Sequence, residues 1–77
     1  MKLYEYESKI VKVVDTDGDV FIGFVDFYTS ALDEPDGIPS ITMIPHNIPD
    51  WDKNALLGIY ENEIASIEIY ETAEVAD

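Results

Sequence analysis

The chain predicts an all-β fold, a five-stranded antiparallel small barrel with a 3₁₀ turn before the last strand, in a single domain spanning residues 1–77. Three observations carry this: an Asp-Gly turn between two apolar runs, a strictly alternating run near the end, and the absence of any segment long enough for a crossover helix. The apolar run Lys9-Ile10-Val11-Lys12-Val13-Val14 and the run Val20-Phe21-Ile22-Gly23-Phe24-Val25-Asp26-Phe27-Tyr28 flank Asp17-Gly18. Asp-Gly suits a type I′ turn, which needs positive φ at both central residues, so the two runs are expected to pair antiparallel.

The remaining strands follow in order. Ser40-Ile41-Thr42-Met43-Ile44 alternates and stops at Pro45, which has no N–H for a ladder. Leu56 to Tyr60 reads as the fourth strand. In Ala65-Ser66-Ile67-Glu68-Ile69-Tyr70 the pattern predicts Ala65, Ile67 and Ile69 on a buried face and Ser66, Glu68 and Tyr70 on a wet one. Glu61-Asn62-Glu63-Ile64 is too short for an α-helix and suits one 3₁₀ turn, with Ile64 dropping inward. Short antiparallel strands without crossover helices must curl to cover their apolar face, hence the barrel. Residues 1–8 show no clear period, and residues 72–77 carry few apolar anchors, so both ends are expected to be loosely ordered. Phe21, Phe24, Phe27 and Tyr28 fall on both faces of one strand, more than a one-sided sheet needs. That implies either strong bending or a second apolar surface that meets a partner.

Composition bounds the function. Seventeen Asp and Glu against four Lys and no Arg give a net charge of −13. Phosphate backbones are repelled by such a surface, so direct nucleic-acid binding is disfavoured; Lys2, Lys9 and Lys12 confine any basic patch to the first strand and the segment before it. Without Cys there are no disulfides or thiolate sites. The first residues carry acids where a signal peptide needs an apolar run, and no stretch has the length of a membrane span, so a cytoplasmic protein is expected.

Chemistry-bearing constellations are sparse. Asp15-Thr16-Asp17-Gly18-Asp19 departs from the calcium-loop spacing and reads as a turn. His46 is the only imidazole, with Asp50 and Asp52 the nearest carboxylates in sequence, and the dispersed Ser8, Ser30, Ser40 and Ser66 lack a nucleophile-elbow setting. No enzyme activity, no metal site and no cofactor is expected. Binding is expected on the two long loops, residues 29–39 with Asp33, Glu34 and Asp36, and residues 45–55 with Asp50-Trp51-Asp52. Trp51 either stands exposed between acids, where it suits a Lys- or Arg-bearing partner, or folds back to plug the barrel.

Val11, Val13, Asp17, Gly18, Phe21, Gly23 and Val25, together with Ile64, Ile67 and Ile69, resemble the first motif and the last strand of the Sm-like (LSM) proteins, a family of SH3-like small barrels. The resemblance covers most of the chain. It is closer still to short Firmicutes proteins of this type, in which a segment like Tyr28-Thr29-Ser30-Ala31-Leu32-Asp33 recurs; that likeness implies a fold and no activity. Where Sm proteins hold uridine with an Asp and an Asn, this chain has Thr29 and Asp33. Where they stack an Arg-Gly on the base, it has Tyr60-Glu61. An ionised Asp can only accept, and Glu61 brings negative charge toward phosphate, so both changes oppose RNA. A ring of such acidic copies repels itself unless the charge lies away from the contacts. The expected function is therefore a non-enzymatic acidic interaction module. It would bind a basic or edge-strand protein partner through Asp33, Glu34, Asp36, Trp51, Tyr60 and Glu61. The alternatives are a divergent Sm-like nucleic-acid binder using Lys9, Lys12, Thr29 and Tyr60, or an acidic nucleic-acid mimic; a homo-oligomer is compatible with each.

Overall fold

The structure is a computed structural model and describes residues 2–70. A 3₁₀ turn at Leu3–Tyr6 precedes strands β1 (Ile10–Asp15), β2 (Val20–Thr29), β3 (Ser40–Pro45) and β4 (Leu57–Tyr60). A second 3₁₀ turn at Glu61–Glu63 leads into β5 (Ile64–Ile69). All pairings are antiparallel, in the order β4-β3-β2-β1-β5. The all-β class, the five strands and the 3₁₀ turn are as the sequence predicts. The sheet is not closed into a barrel. The second 3₁₀ turn sends the chain from β4 to β5 without a hairpin, so no ladder joins them, and Thr16 N–H to Glu63 C=O (3.0 Å) ties that turn to the β1–β2 loop instead. A cleft of about 220 Å³, lined by Asp15, Phe21, Leu57, Ile59 and Glu63 among others, marks the open seam.

The hairpin pairs in the expected register, Val13 with Phe21 and Val14 with Val20. Its turn is not type I′. Gly18 has φ +88° while Asp17 is not in the positive region. Gly18 N–H bonds Asp15 C=O (3.0 Å) and Asp15 N–H bonds Asp19 C=O (2.9 Å), the pattern of a three-residue loop ending in a left-handed glycine. The Asp15 carboxylate favours this form by accepting from the N–H groups of Asp17 and Asp19, each at 2.9 Å.

Two bulges re-aim side chains. In β2, Val25 pairs with Met43 and Phe27 with Thr42, leaving Asp26 as the extra residue. Tyr28, beyond the bulge, therefore joins Phe21 in packing on the core, while Phe27 is 40% exposed. In β5, Ser66 pairs with Val14 and Ile64 with Asp15, which leaves Ala65 unpaired. Here the alternation expected from sequence is corrected. Ala65 is exposed and Ile69 is 39% exposed; Ile64, across the bulge, is the buried residue and Ile67 packs beside it.

The core is Leu3, Val11, Val13, Val25, Ile41, Met43, Ile59 and Ile64. Of the first eight residues, Leu3–Tyr6 form the 3₁₀ turn. The 3₁₀ turn docks on β2 and drops Leu3, 2% exposed, into the core. Ser8 N–H to Val25 C=O (2.9 Å), Tyr28 N–H to the Glu7 carboxylate (3.0 Å) and an edge-on contact of the Tyr4 and Tyr28 rings (6.2 Å) hold the segment. Residues 72–77 lie outside the described residues.

Candidate functional site

Where β2 ends and β3 begins, Thr29 registers with Ser40, and Ser40 with Tyr60 of β4, making one row across three strands. The 29–39 loop folds back over this row through two tight turns. One is closed by Asp33 N–H to Ser30 C=O and the other by Gly37 N–H to Glu34 C=O, each 3.0 Å, with Gly37 at φ +71°. Pro39 C=O then accepts Glu61 N–H at 2.8 Å. These constraints aim the half-buried Glu34 carboxylate at the buried Ser40 hydroxyl, which donates to it, with its charge also acting on the Tyr60 phenol. From the other side Glu63 accepts the Tyr60 N–H at 3.0 Å.

The electrostatic consequence is read at Tyr60. Its phenol is held above the ordinary value of 10.0, chiefly by the Glu34 charge, then by partial loss of solvent, and further by Asp36, the Glu34 hydrogen bond and Glu63. Ionising a phenol among carboxylates adds a like charge, so the neutral form persists. The site is a preformed anionic rim around an aromatic ring.

Of the six residues expected to bind a partner, the fold gathers Glu34, Asp36, Tyr60 and Glu61 at this end. Asp33 is exposed next to them, its carboxylate accepting the Ser30 hydroxyl within its own turn (3.3 Å), beside a Leu32 that is 95% exposed. Trp51 is not among them. The 46–55 loop leaves the opposite end of β3, one strand length away. There Trp51 is half-buried, its indole N–H bonded to Ala55 C=O (2.9 Å), in a groove of about 510 Å³ with Ile44, Pro45, Ile48 and Lys53. It neither plugs the fold nor stands free; Leu3 fills the core, and Asp50 at φ +68° turns the loop back on itself. Asn47 pins that loop by bonding Ile22 N–H (2.9 Å) and Val20 C=O (3.0 Å), continuing the β2 pairing where Pro45 ends β3.

The residues of the nucleic-acid alternative do not converge. Thr29 and Tyr60 share the row above, but Lys12 sits on β1, registered with Ile22 and Glu68, and Lys9 lines a separate cleft with Tyr4, Tyr6 and Ile69. The carboxylates of Asp15, Asp17 and Asp19 come within 4.8 Å of one another at the hairpin tip. Two backbone N–H groups already occupy one Asp15 oxygen there. His46 is exposed in the Trp51 groove.

Glu63 and Ser40 are the site residues that sequence reasoning missed. Glu63 was findable from its place three residues after Tyr60, where a carboxylate reaches back to a turn's first N–H. Ser40 had no signal, because its role depends on how the preceding loop folds. Neither a family model, nor a curated protein, nor a solved structure matches the chain.

Proposed function

We propose that the protein is a non-enzymatic acidic interaction module that takes a Lys- or Arg-bearing segment of a protein partner at the Tyr60 rim. The observation that carries this is Glu34 fixed by the Ser40 hydroxyl, with its charge and those of Asp36 and Glu63 acting on the Tyr60 phenol. An ammonium or guanidinium placed there meets several carboxylates and an aromatic ring already oriented, so little ordering is required on binding. The same carboxylates repel phosphate, which sets the nucleic-acid reading aside. The Sm-like resemblance is proposed for the sheet alone; strand number, antiparallel pairing and the 3₁₀ turn support it, and no function travels with it.

The test is a fluorescence-anisotropy titration with a Lys/Arg-rich peptide and an Asp/Glu-rich control. The basic peptide is expected to bind, to weaken as salt rises, and to lose about threefold to tenfold in affinity with Glu34→Gln or Asp36→Asn. Equal affinity for both peptides, or binding of oligo-uridine in preference to the basic peptide, overturns the reading.

A further inference from the structure

We propose that the basic segment binds as an added strand on the free edge of β4, with one cationic side chain at the Tyr60 rim and the next in the seam cleft; this rests on the Tyr60 reading and gives its occupant a conformation. β4 is one edge of the sheet, paired with β3 alone. In an antiparallel ladder, hydrogen-bonded pairs alternate with pairs whose N–H and C=O groups point away from the partner strand. Glu61 N–H donates to Pro39 C=O (2.8 Å), so the next bonded pair is Ile41 with Ile59, and the backbone groups of Tyr60 and Gly58 turn to the free edge. Tyr60 N–H is closed there by the Glu63 carboxylate (3.0 Å). Gly58 N–H and C=O are open. The residue is exposed, a Cβ on it would meet nothing within 4 Å, and neither group has a partner among the described residues.

The side chains beside this edge select the occupant. Next to Gly58 the cleft of about 220 Å³ has apolar walls in Phe21, Leu57 and Ile59 and three acids, Asp15, Asp17 and Glu63, with no Lys, Arg or His in its lining. A Lys or Arg side chain fits that lining, its stem against the apolar walls and its charge among the acids. Glu63 belongs to both places, lining the cleft while its carboxylate holds the Tyr60 N–H, so the cleft and the rim are continuous. Successive side chains of a strand point to opposite faces. In an added strand, a residue level with Tyr60 lies on the face of Ser40 and Tyr60, and its neighbour lies on the face of Ile41 and Ile59, where the core and the cleft are. Two adjacent basic residues therefore reach the rim and the cleft together. The other edge, β5, contributes no residue to the cleft, and an acidic segment brings like charge to all of these carboxylates.

The test uses an otherwise neutral peptide carrying one adjacent Lys-Arg pair, and two versions of it N-methylated at alternate residues, one at the odd positions and one at the even. Each version lacks the N–H groups along one edge of the extended peptide and keeps those along the other. By fluorescence anisotropy one version is expected to lose about tenfold or more in affinity and the other to bind as the parent peptide does. By hydrogen exchange followed by NMR, saturating parent peptide is expected to slow the Gly58 amide about tenfold or more and to leave the Ile67 amide unchanged. Ile67 N–H faces the free edge of β5, because the bond from Tyr70 N–H to Ile10 C=O sets the alternation there. Equal binding of all three peptides, or slowing of Ile67 in place of Gly58, overturns the added strand. A parent peptide that does not bind overturns it together with the Tyr60 reading. Glu34→Gln separates the two. A peptide that slows Gly58 and binds Glu34→Gln as tightly as the parent chain supports the strand and overturns the rim, whereas a peptide weakened by Glu34→Gln that leaves Gly58 exchange unchanged supports the rim and overturns the strand.

Discussion

Gly23 and Gly18 show two different reasons for the same residue. At Gly23 the β3 backbone crosses so closely that an added Cβ would meet the Ile44 carbonyl group and lie 2.8 Å from Pro45 Cα. Backbone cannot step aside, so Gly23→Ala is expected to cost more than about 3 kcal/mol. Gly18 has open space around it but sits at φ +88°, so Gly18→Ala is expected to cost only about 1 kcal/mol. Urea denaturation of both variants measures the contrast. Tyr60 supplies a pH dependence. Its phenol is raised above 10.0 in the folded chain and is ordinary in the unfolded one. As pH rises through the ordinary value the unfolded chain releases the proton and the folded chain keeps it. The stability contributed is thus complete below the ordinary value and is lost as pH climbs toward the folded one. Thermal melts on the alkaline side are expected to show a shallower decline for Tyr60→Phe than for the parent chain.

Among the elements, the first 3₁₀ turn does more than its length suggests. Its sequence, Leu3-Tyr4-Glu5-Tyr6, has no period, because a single turn packing end-on against a sheet needs only one inward residue. Leu3→Ala is expected to cost about 2–4 kcal/mol, as at a central core position, measured by the denaturation midpoint at constant m-value. Indifference to this substitution would show that the turn is not docked in solution. The bulges at Asp26 and Ala65 are likewise elements of decision. Each shifts the inward face by one residue, putting Phe27 outside, Tyr28 on the core, and Ile64 in the place that simple alternation gives to Ala65. A period-two pattern is a rule for regular ladders, and the sequence of β5 does not announce where its ladder slips.

For the whole molecule, the distribution of charge matters more than its sum. The net charge of −13 works against a phosphate-binding surface. It does not by itself say where a basic partner is held, since that depends on where the acids gather, and Glu34, Asp36 and Glu63 gather at Tyr60. Screening by salt is expected to weaken the attraction of the Tyr60 rim to a basic partner.

The sequence by itself determined the all-β class, the number and order of strands, the hairpin between β1 and β2, and the 3₁₀ turn before β5. Each rests on local chemistry, an Asp-Gly turn, a prolyl stop, an alternating run, that acts over a few residues. Glu34 and Asp36 drew notice as acids on a long loop, and Tyr60 only through the Sm-like resemblance, since it closes β4. Tertiary structure alone decided that the sheet stays open, that Leu3 fills the core, that Ser40 and Glu63 complete the Tyr60 rim, and that Trp51 lies at the other end of β3. Those outcomes depend on which distant segments approach one another, and contact between residues far apart in the chain leaves no mark on the local pattern.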